Sequence, residues 1–481
     1  MATRAIFLGL GLMGAHGLAL TTGMPNAAAR MPQCAVQPGE FADRYDWKKQ
    51  WYAVGFEKDM PKAGSPQPQP FSVFGEPYVV YSDGEGELVA LEDRCPHRAA
   101  KLSHGSVKNG LLECNYHGWA FDSKGECKDI PQLSEGAVIP KAACVPQKTL
   151  KISEGIVYLW PGSPLEALAS APPQSKDNLN DEESLKKMID VYSFTIDLPY
   201  SYELLLENLS DPAHIPVSHD RTPGGGKREN AQPLEMEVLD ITPTGVESRF
   251  RNTRPKAKTS KKQETEDEAK DENTNAWTEI KIDAPGIVRY RFELPGGAAF
   301  GSALHCVPSS PYRSRLLFRT YFKGGGGVKG LLFKALFKSK TWYKPMWLRH
   351  LNSCKILEQD LGLITSQEDI MASKPGQIWA DEALTLKSSD AVLIAVRQWL
   401  DGVGPALPHY QGWNSRADPS LPAPPPDRYM ESRYTRHVKV QRSTRNALRR
   451  IKWLRQASLA LGVGLGVGLG AGAGLCGVGL G

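Results

Sequence analysis

From Trp51 to Trp160 the chain alternates short apolar runs with Gly, Pro and Asp, as in Pro77–Tyr81, Glu87–Leu91 and Gly155–Trp160. Runs of that length between turn formers predict strands, and their close succession predicts a small all-β domain. Pro161-Gly162 and the polar stretch Pro173–Glu183 predict a boundary. A second unit then opens with strand-like Val191–Ile196 and continues with a helix around Tyr202–Asn208. Alternating strands follow, such as Gly286–Phe292 and Ser314–Phe322. A further helix is expected from about Ser389 to Leu400, with Ser388-Ser389-Asp390 offering an N-cap and Gly402 a stop. The plan is α+β. The segment Arg254–Asn275 is dense in Lys, Glu, Asp and Thr and lacks aromatic and β-branched apolar residues, so it reads as disordered.

The two ends carry other patterns. Glu40 is the first acidic residue; before it come Arg4, an apolar run Ala5–Leu20 and Ala27-Ala28-Ala29. That is a targeting-segment pattern. The lack of acids suits an organellar transit peptide. The lack of serine and the high apolarity leave a secretory or thylakoid-type signal, or an uncleaved anchoring helix, as alternatives. After Trp413 comes a Pro-rich stretch, Pro419–Pro426, then a basic one from Arg433 to Arg455, then Ala457–Gly481 without any charge. The length of this tail suits a membrane span, although its many glycines weaken a helix in water and a low-complexity extension is the alternative. The basic residues before it would hold the chain on the stromal or cytoplasmic side. Val328–Lys340 has the pattern of an amphipathic helix with a Lys-rich face, for an anionic membrane surface or for packing on the domain. The expected partition is a targeting segment 1–40, a β domain 41–165, a larger α+β domain 166–412, a Pro-rich and basic linker 413–456 and an apolar Gly-rich tail 457–481.

A formal charge of +5 over 481 residues is too small to suggest nucleic acid. The eight cysteines are scattered, which is not a disulfide framework, and two of them sit in a metal-ligand pattern. Together these point to a reducing compartment.

That pattern is Cys95-Pro96-His97 and Cys114-Asn115-Tyr116-His117, with sixteen residues between the two loops. Each loop offers one sulfur and one nitrogen. Two thiolates on one iron and two imidazoles on the other make the Rieske form of a [2Fe–2S] cluster. A structural zinc site is the rival, but zinc fingers pair Cys with Cys and His with His. Neither loop holds an additional Cys, so no disulfide ties the loops together, which points to the lower-potential oxygenase and ferredoxin types. Gly105 and Gly110 suit the turns between the loops. Cys127 and Cys144 lie outside the pattern and read as ordinary buried thiols.

A second constellation is Glu207-Asn208-Leu209-Ser210-Asp211-Pro212-Ala213-His214, followed by His219. Two histidines five apart do not share a face of a straight helix. Pro212 and Pro216 would break the helix and let both rings converge. With one carboxylate they would form a two-His-one-carboxylate Fe(II) face, open to O2 and substrate. Asp360, in Glu358-Gln359-Asp360 on an expected helix, is the leading carboxylate, with Glu358 and Glu368 as rivals. Asp211 is placed to accept a hydrogen bond from His214 and orient it rather than to bind metal, or to touch a cluster histidine of a neighbouring subunit. An ordinary Pro-rich loop is the bland alternative.

With both constellations in place, the chain from about Trp51 to Leu400 resembles the Rieske oxygenase superfamily. That resemblance implies an N-terminal all-β Rieske domain joined to a helix-grip (START-like) catalytic domain, followed here by the apolar tail. It implies Cys95, His97, Cys114 and His117 as cluster ligands and His214, His219 and Asp360 as ligands of a mononuclear Fe(II). It further implies Asn208 near the metal, head-to-tail homotrimers, and Asp211 as the bridge from one subunit's cluster to the next subunit's iron.

A narrower resemblance is to the chloroplast branch that includes pheophorbide a oxygenase and translocon-type Rieske proteins. It rests on Trp47-x3-Trp51-Tyr52, on Leu91–Ser103, on Glu203–His214, on Ile356–Glu368 and on the apolar C-terminus. It implies a ferredoxin-like electron donor, O2 as co-substrate, a lipophilic substrate such as a chlorophyll-type tetrapyrrole, and a chloroplast envelope or thylakoid location. The branch usually carries a C-terminal Cys-x2-Cys. The matching region here, Gln441–Thr444, has none, which argues against thiol control through that motif. The alternatives are a redox-sensing or translocon-associated subunit with little turnover, and a Rieske monooxygenase of a sterol or quaternary amine.

Overall fold

The computed structural model describes residues 36–174, 188–222, 225–253, 276–294, 298–323, 345–386 and 388–475. The expected targeting run before residue 36, the segment 254–275, the amphipathic stretch 328–340 and the last residues of the tail lie outside the described residues.

The first domain holds ten strands: β1 (Tyr52–Phe56), β2 (Gln69–Val73), β3 (Glu76–Ser82), β4 (Leu88–Glu92), β5 (Ser106–Lys108), β6 (Leu111–Glu113), β7 (Ala120–Phe121), β8 (Cys127–Asp129), β9 (Gln147–Ser153) and β10 (Ile156–Trp160). Six form an antiparallel sheet in the order β1-β10-β9-β4-β3-β2, and β5-β6-β7-β8 form a separate small sheet. The small sheet is an insertion between β4 and β9. Both mixed Cys/His loops belong to it, one after β4 and one between β6 and β7. It has its own core, in which Val79, Tyr81, Leu91, Leu102, Leu112 and Phe121 surround Cys95 and Cys114.

The second domain is one seven-stranded antiparallel sheet in the order β11-β17-β16-β15-β14-β13-β12. Its strands are β11 (Met188–Leu198), β12 (Leu234–Thr242), β13 (Gly245–Asn252), β14 (Thr278–Asp283), β15 (Ile287–Leu294), β16 (Ala298–Ser310) and β17 (Arg313–Lys323). Its principal helices are α1 (Tyr202–Ser210), the single turn α2 (Ile215–Ser218), the long α3 (Met346–Ala372) and α4 (Ala391–Val403). A last helix, α5, runs Arg442–Leu475.

The two domains share one core. Trp47, Trp51 and Tyr52 of the first pack with Tyr202 and Trp399 of the second, and the Trp47 indole donates to the Val403 carbonyl at 3.1 Å. The alternation along β17 predicts a half-solvated strand, yet every residue from Ser314 to Phe322 is buried. Two of its arginines reach carbonyls of the first domain instead of water, Arg319 donating to that of Glu154 at 2.8 Å. Arg315 forms a fork on Asp197 (2.6 and 2.9 Å) and donates to the Val54 carbonyl at 2.9 Å.

Several local expectations need adjustment. Helix α4 starts at Ala391 and runs through Gly402 to Val403. Asp390 does not cap it with its side chain; its carboxylate takes the Leu386 N–H at 2.6 Å instead. Gly402 does not act as a stop. A Cβ there would come within 2.8 Å of both Val36 and Phe41, so the glycine admits the N-terminal strap onto α4. Cys127 is buried, but Cys144 is exposed, because the loop before β9 leaves it on the surface.

The stretch after Trp413 packs as much as it links. Arg428, Arg436 and His437 are buried, because buried acids on α3 draw the basic side chains inward. Arg428 pairs with Glu368 at 2.8 Å and Asp369 at 2.6 Å. Among the described residues no helix is long and apolar enough to cross a membrane.

Candidate metal centres

The cluster loops are held by backbone bonds within each loop. Ala99 N–H bonds the Cys95 carbonyl (2.9 Å) and Cys95 N–H bonds Ala100 (2.8 Å). The second loop repeats the pattern, Gly118 to Cys114 and Cys114 to Trp119, both at 2.8 Å. Gly118 is required here. Its φ is +79°, and a Cβ would sit 2.9 Å from the Pro131 ring. The two loops bring the His97 and His117 rings to 4.5 Å between centroids. Trp119 lies parallel to the His97 ring, 4.7 Å away and 3° off, while Gln132 donates to the His117 carbonyl at 2.8 Å.

This donor set fits a Rieske cluster. Cys95 and Cys114 are buried, and the buried His97 Nδ1 has no hydrogen-bond partner. Burial pushes the Cys95 thiol up to about 11, and the adjacent Cys114 adds to this against the N–H groups of His97 and Arg98. Such a thiol gives up its proton to a metal rather than to water.

The second centre is built at a helix end. Ser201 caps α1 by accepting from Leu204 N–H. The helix stops at Asp211, whose backbone is extended (φ −98°, ψ 105°) as the residue before Pro212 must be. Pro216, expected from sequence to break the helix, does not; it sits in the first turn of α2, where no N–H is missed. His214 and His219 are the residues flanking that single turn, and their rings meet edge to face at 5.3 Å. Asp360 comes from the buried face of α3. His219 Nε2 lies 3.3 Å and His214 Nε2 3.9 Å from Asp360 Oδ2. All three donors fall within 4.8 Å of one another.

Each histidine is fixed through its other nitrogen. His214 Nδ1 lies 3.2 Å from Asp211 Oδ2, and Asp211 Oδ1 accepts the Ala213 N–H at 2.7 Å. His219 Nδ1 lies 3.1 Å from Gln359 Oε1, and the Gln359 amide is itself held by Thr222 at 2.8 Å. Assigned from these bonds, each neutral ring carries its proton on Nδ1 and turns a bare Nε2 toward a carboxylate. Two electron-rich atoms 3.3 Å apart repel unless a cation lies between them. The set therefore fits a metal. Burial works against charge on His214, but Asp211 and then Asp360 outweigh it and raise its pKa.

Asn208 reaches Asp360 Oδ2 at 3.4 Å. The rival carboxylates are engaged elsewhere. Glu358 pairs with Arg433 and His437, and Glu368 with Arg428, Ser201 N–H and Gln411. Gln359 and Trp119 were missed by the sequence reading. Gln359 adjoins the candidate ligand Asp360, and Trp119 is an aromatic two residues past His117.

Two hollows meet at this centre, and both include Asn208, Asp211, His214 and Asp360. One is an apolar cavity of about 40 Å³ walled by Phe194, Leu209, Leu304, Phe318, Ile356 and Leu357. The other holds about 170 Å³ and is lined also by Glu207, Ser218 and Gln367.

The fold, the loops and the triad define a class. Residues 50–148 match the Rieske [2Fe-2S] domain and residues 268–377 the pheophorbide a oxygenase domain, so in both parts the chain is similar to Rieske-type non-haem iron oxygenases. Among particular relatives, it is 36% identical to protein TIC 55, chloroplastic, of Arabidopsis thaliana over 80% of this chain and 64% of that one. It thus spans less than two thirds of that relative's length. It is 28% identical to pheophorbide a oxygenase, chloroplastic, of Oryza sativa subsp. japonica, over 77% of this chain and 67% of that one. In fold it is similar to Pseudomonas putida CBB5 NdmA with caffeine, with a TM-score of 0.52 at 19% identity over 78% of this chain and 98% of that one.

Proposed function

We propose that this chain is an oxygenase that uses O2 and electrons from a ferredoxin-like donor to oxygenate a lipophilic substrate, of which a chlorophyll-type tetrapyrrole such as pheophorbide a is the leading class. The observation that carries this reading is the His214–His219–Asp360 triad on the wall of an apolar cavity, in a chain that also holds the mixed Cys/His loops. When bound, the cluster at Cys95, His97, Cys114 and His117 supplies electrons singly, and iron at the triad supplies a site for O2. One oxygen atom enters the substrate and the other leaves as water, consuming two electrons and two protons.

The protein's own residues set the geometry. Asp211 and Gln359 hold the two imidazoles, Asn208 steadies Asp360, and the apolar wall excludes water from the reacting face. At about 40 Å³ the cavity admits O2 or the edge of a ring, so a macrocycle would present one carbon and displace wall side chains to do so. Asp211 lines the larger hollow and would meet a cluster histidine of the next subunit in a head-to-tail homotrimer.

A chloroplast location is supported by the relatives' names. Membrane association is supported by α5, where Ile451, Trp453 and Leu454 are exposed among Arg449, Arg450, Lys452 and Arg455. That pattern suits a helix lying on an anionic surface.

A redox-sensing, translocon-associated role with little turnover is the second reading, favoured by the small cavity and by the similarity to TIC 55. The two readings part in one assay: O2 uptake with reduced ferredoxin and pheophorbide a, in wild type and in His214→Ala. Substrate-dependent uptake lost in the variant supports the oxygenase. Uptake that ignores substrate and mutation contradicts it.

A further inference from the structure

Behind the iron cavity lies a second cluster of metal-ligating side chains. His350 and Cys354 are one helical turn apart on α3 and share a face. His437 comes from a single wide turn, Tyr434–Val438, in the chain that returns over α3. The three donor atoms lie within 4.8 Å of one another, and all three residues are buried. Cys354 Sγ is 3.5 Å from His350 Nδ1, and the two imidazoles meet at 71° with centroids 5.2 Å apart.

The His437 ring supplies a second, independent observation. Its Nε2 lies 3.0 Å from Glu358 Oε1, and the Glu358 carboxylate is clamped by Arg433 at 2.8 and 2.6 Å. Its Nδ1 is buried and has no hydrogen-bond partner. A buried nitrogen left unpaired is costly unless a ligand takes its lone pair. A carboxylate–histidine pair whose other nitrogen is free is the arrangement that orients a metal-bound imidazole. The wide turn fits as well, because such turns cost stability and recur where a side chain must be aimed.

We propose that His350, Cys354 and His437 form an additional metal site for a thiophilic d10 cation, Zn2+ or Cu+, with Glu358 as its outer support. One thiolate and two imidazoles distinguish it from the iron triad, whose carboxylate and imidazoles suit harder iron. The site is a staple. It fastens the chain around His437 to the helix that carries Asp360. Ser353, next to Cys354, and Phe194, whose ring lies 5.4 Å from His350, both line the iron cavity. An ion here would therefore hold the cavity's rear wall.

The test starts from iron-loaded full-length chain freed of other metals, to which Zn2+ or, anaerobically, Cu+ is added. One extra equivalent is expected with no loss of iron, with one sulfur scatterer in the X-ray absorption of the added metal. Cys354→Ser and His437→Gln should lose it while keeping the cluster's EPR signal, and Glu358→Gln should bind it about 10–100-fold more weakly. Whichever cation survives chelator competition identifies the occupant. Uptake of neither cation, or uptake that displaces iron and persists in Cys354→Ser, would overturn the site. Should the variants not fold, Co2+ on wild type decides: a thiolate-to-cobalt charge-transfer band supports the site, and an all-nitrogen-and-oxygen spectrum refutes it.

Discussion

Removing the Asp211 carboxylate should loosen iron without touching the cluster. Asp211 Oδ2 lies 3.2 Å from His214 Nδ1 and fixes both the ring's tautomer and its direction. A hydrogen bond to a charged acceptor contributes about 1.5–3 kcal/mol. Both side chains are 21% exposed, so water replaces part of the loss and the lower end applies. That gives about 1.5–2 kcal/mol, or roughly 10–30-fold weaker Fe(II) binding in Asp211→Ala. Gln359 does the same for His219 with a neutral oxygen, for which about 0.5–1.5 kcal/mol is expected, roughly 2–12-fold. Asp211→Asn keeps an acceptor and should bind iron within about a factor of ten of wild type. If Asp211 also carries electrons between subunits, its single-turnover rate should fall much further than its affinity. Anaerobic Fe(II) titration of cluster-loaded apoprotein measures all three variants. Unchanged affinity in Asp211→Ala, or a larger loss in Gln359→Ala, would refute the assignment.

Three further outcomes follow from the geometry. Gly118→Ala forces a side chain into a +79° φ and against Pro131; this should cost about 1–2 kcal/mol from backbone strain alone and lower cluster content, read as iron and acid-labile sulfide per chain. Glu203 is buried, and desolvation pushes its pKa from 4.5 up to about 8 despite Arg397. A raised folded-state pKa means stability is full below the unfolded value and is lost as pH rises through the folded one. Wild type should therefore lose roughly a few kcal/mol between about pH 5 and pH 8, and Glu203→Gln should flatten that slope in thermal melts. Arg428→Met leaves Glu368 buried without its guanidinium partner and should cost about 3–5 kcal/mol in urea, with much of it recovered in Arg428→Met/Glu368→Gln.

The sequence made the class legible because its strongest signals are local. Two mixed Cys/His loops need no tertiary knowledge to be read as a cluster site, and turn-bounded apolar runs mark short strands directly. The iron triad was legible only in part. His214 and His219 stand in one motif, but Asp360 is 141 positions beyond His219, and three acids on one helix competed for the role. Tertiary pairing favours Asp360, since Glu358 and Glu368 are each engaged by arginines from the C-terminal stretch. That stretch reads as a solvated linker because charge runs usually are; only buried acids on α3 reveal that it folds back. Gly402 misled for a related reason. A glycine at a helix end signals termination, whereas here it clears space for Val36 and Phe41. Gln359 carries no motif of its own, and its role appears only when α3 packs against α2.

The central claim is that one chain carries two separate iron centres. Anaerobic EPR combined with iron analysis, on wild type and on Asp360→Ala, tests it most directly. The account predicts a reduced Rieske signal in both proteins, with iron beyond the cluster's pair present in wild type and absent from the variant. The same iron content in both, equal to the cluster's pair alone, would contradict it and leave an electron-transfer or sensing protein.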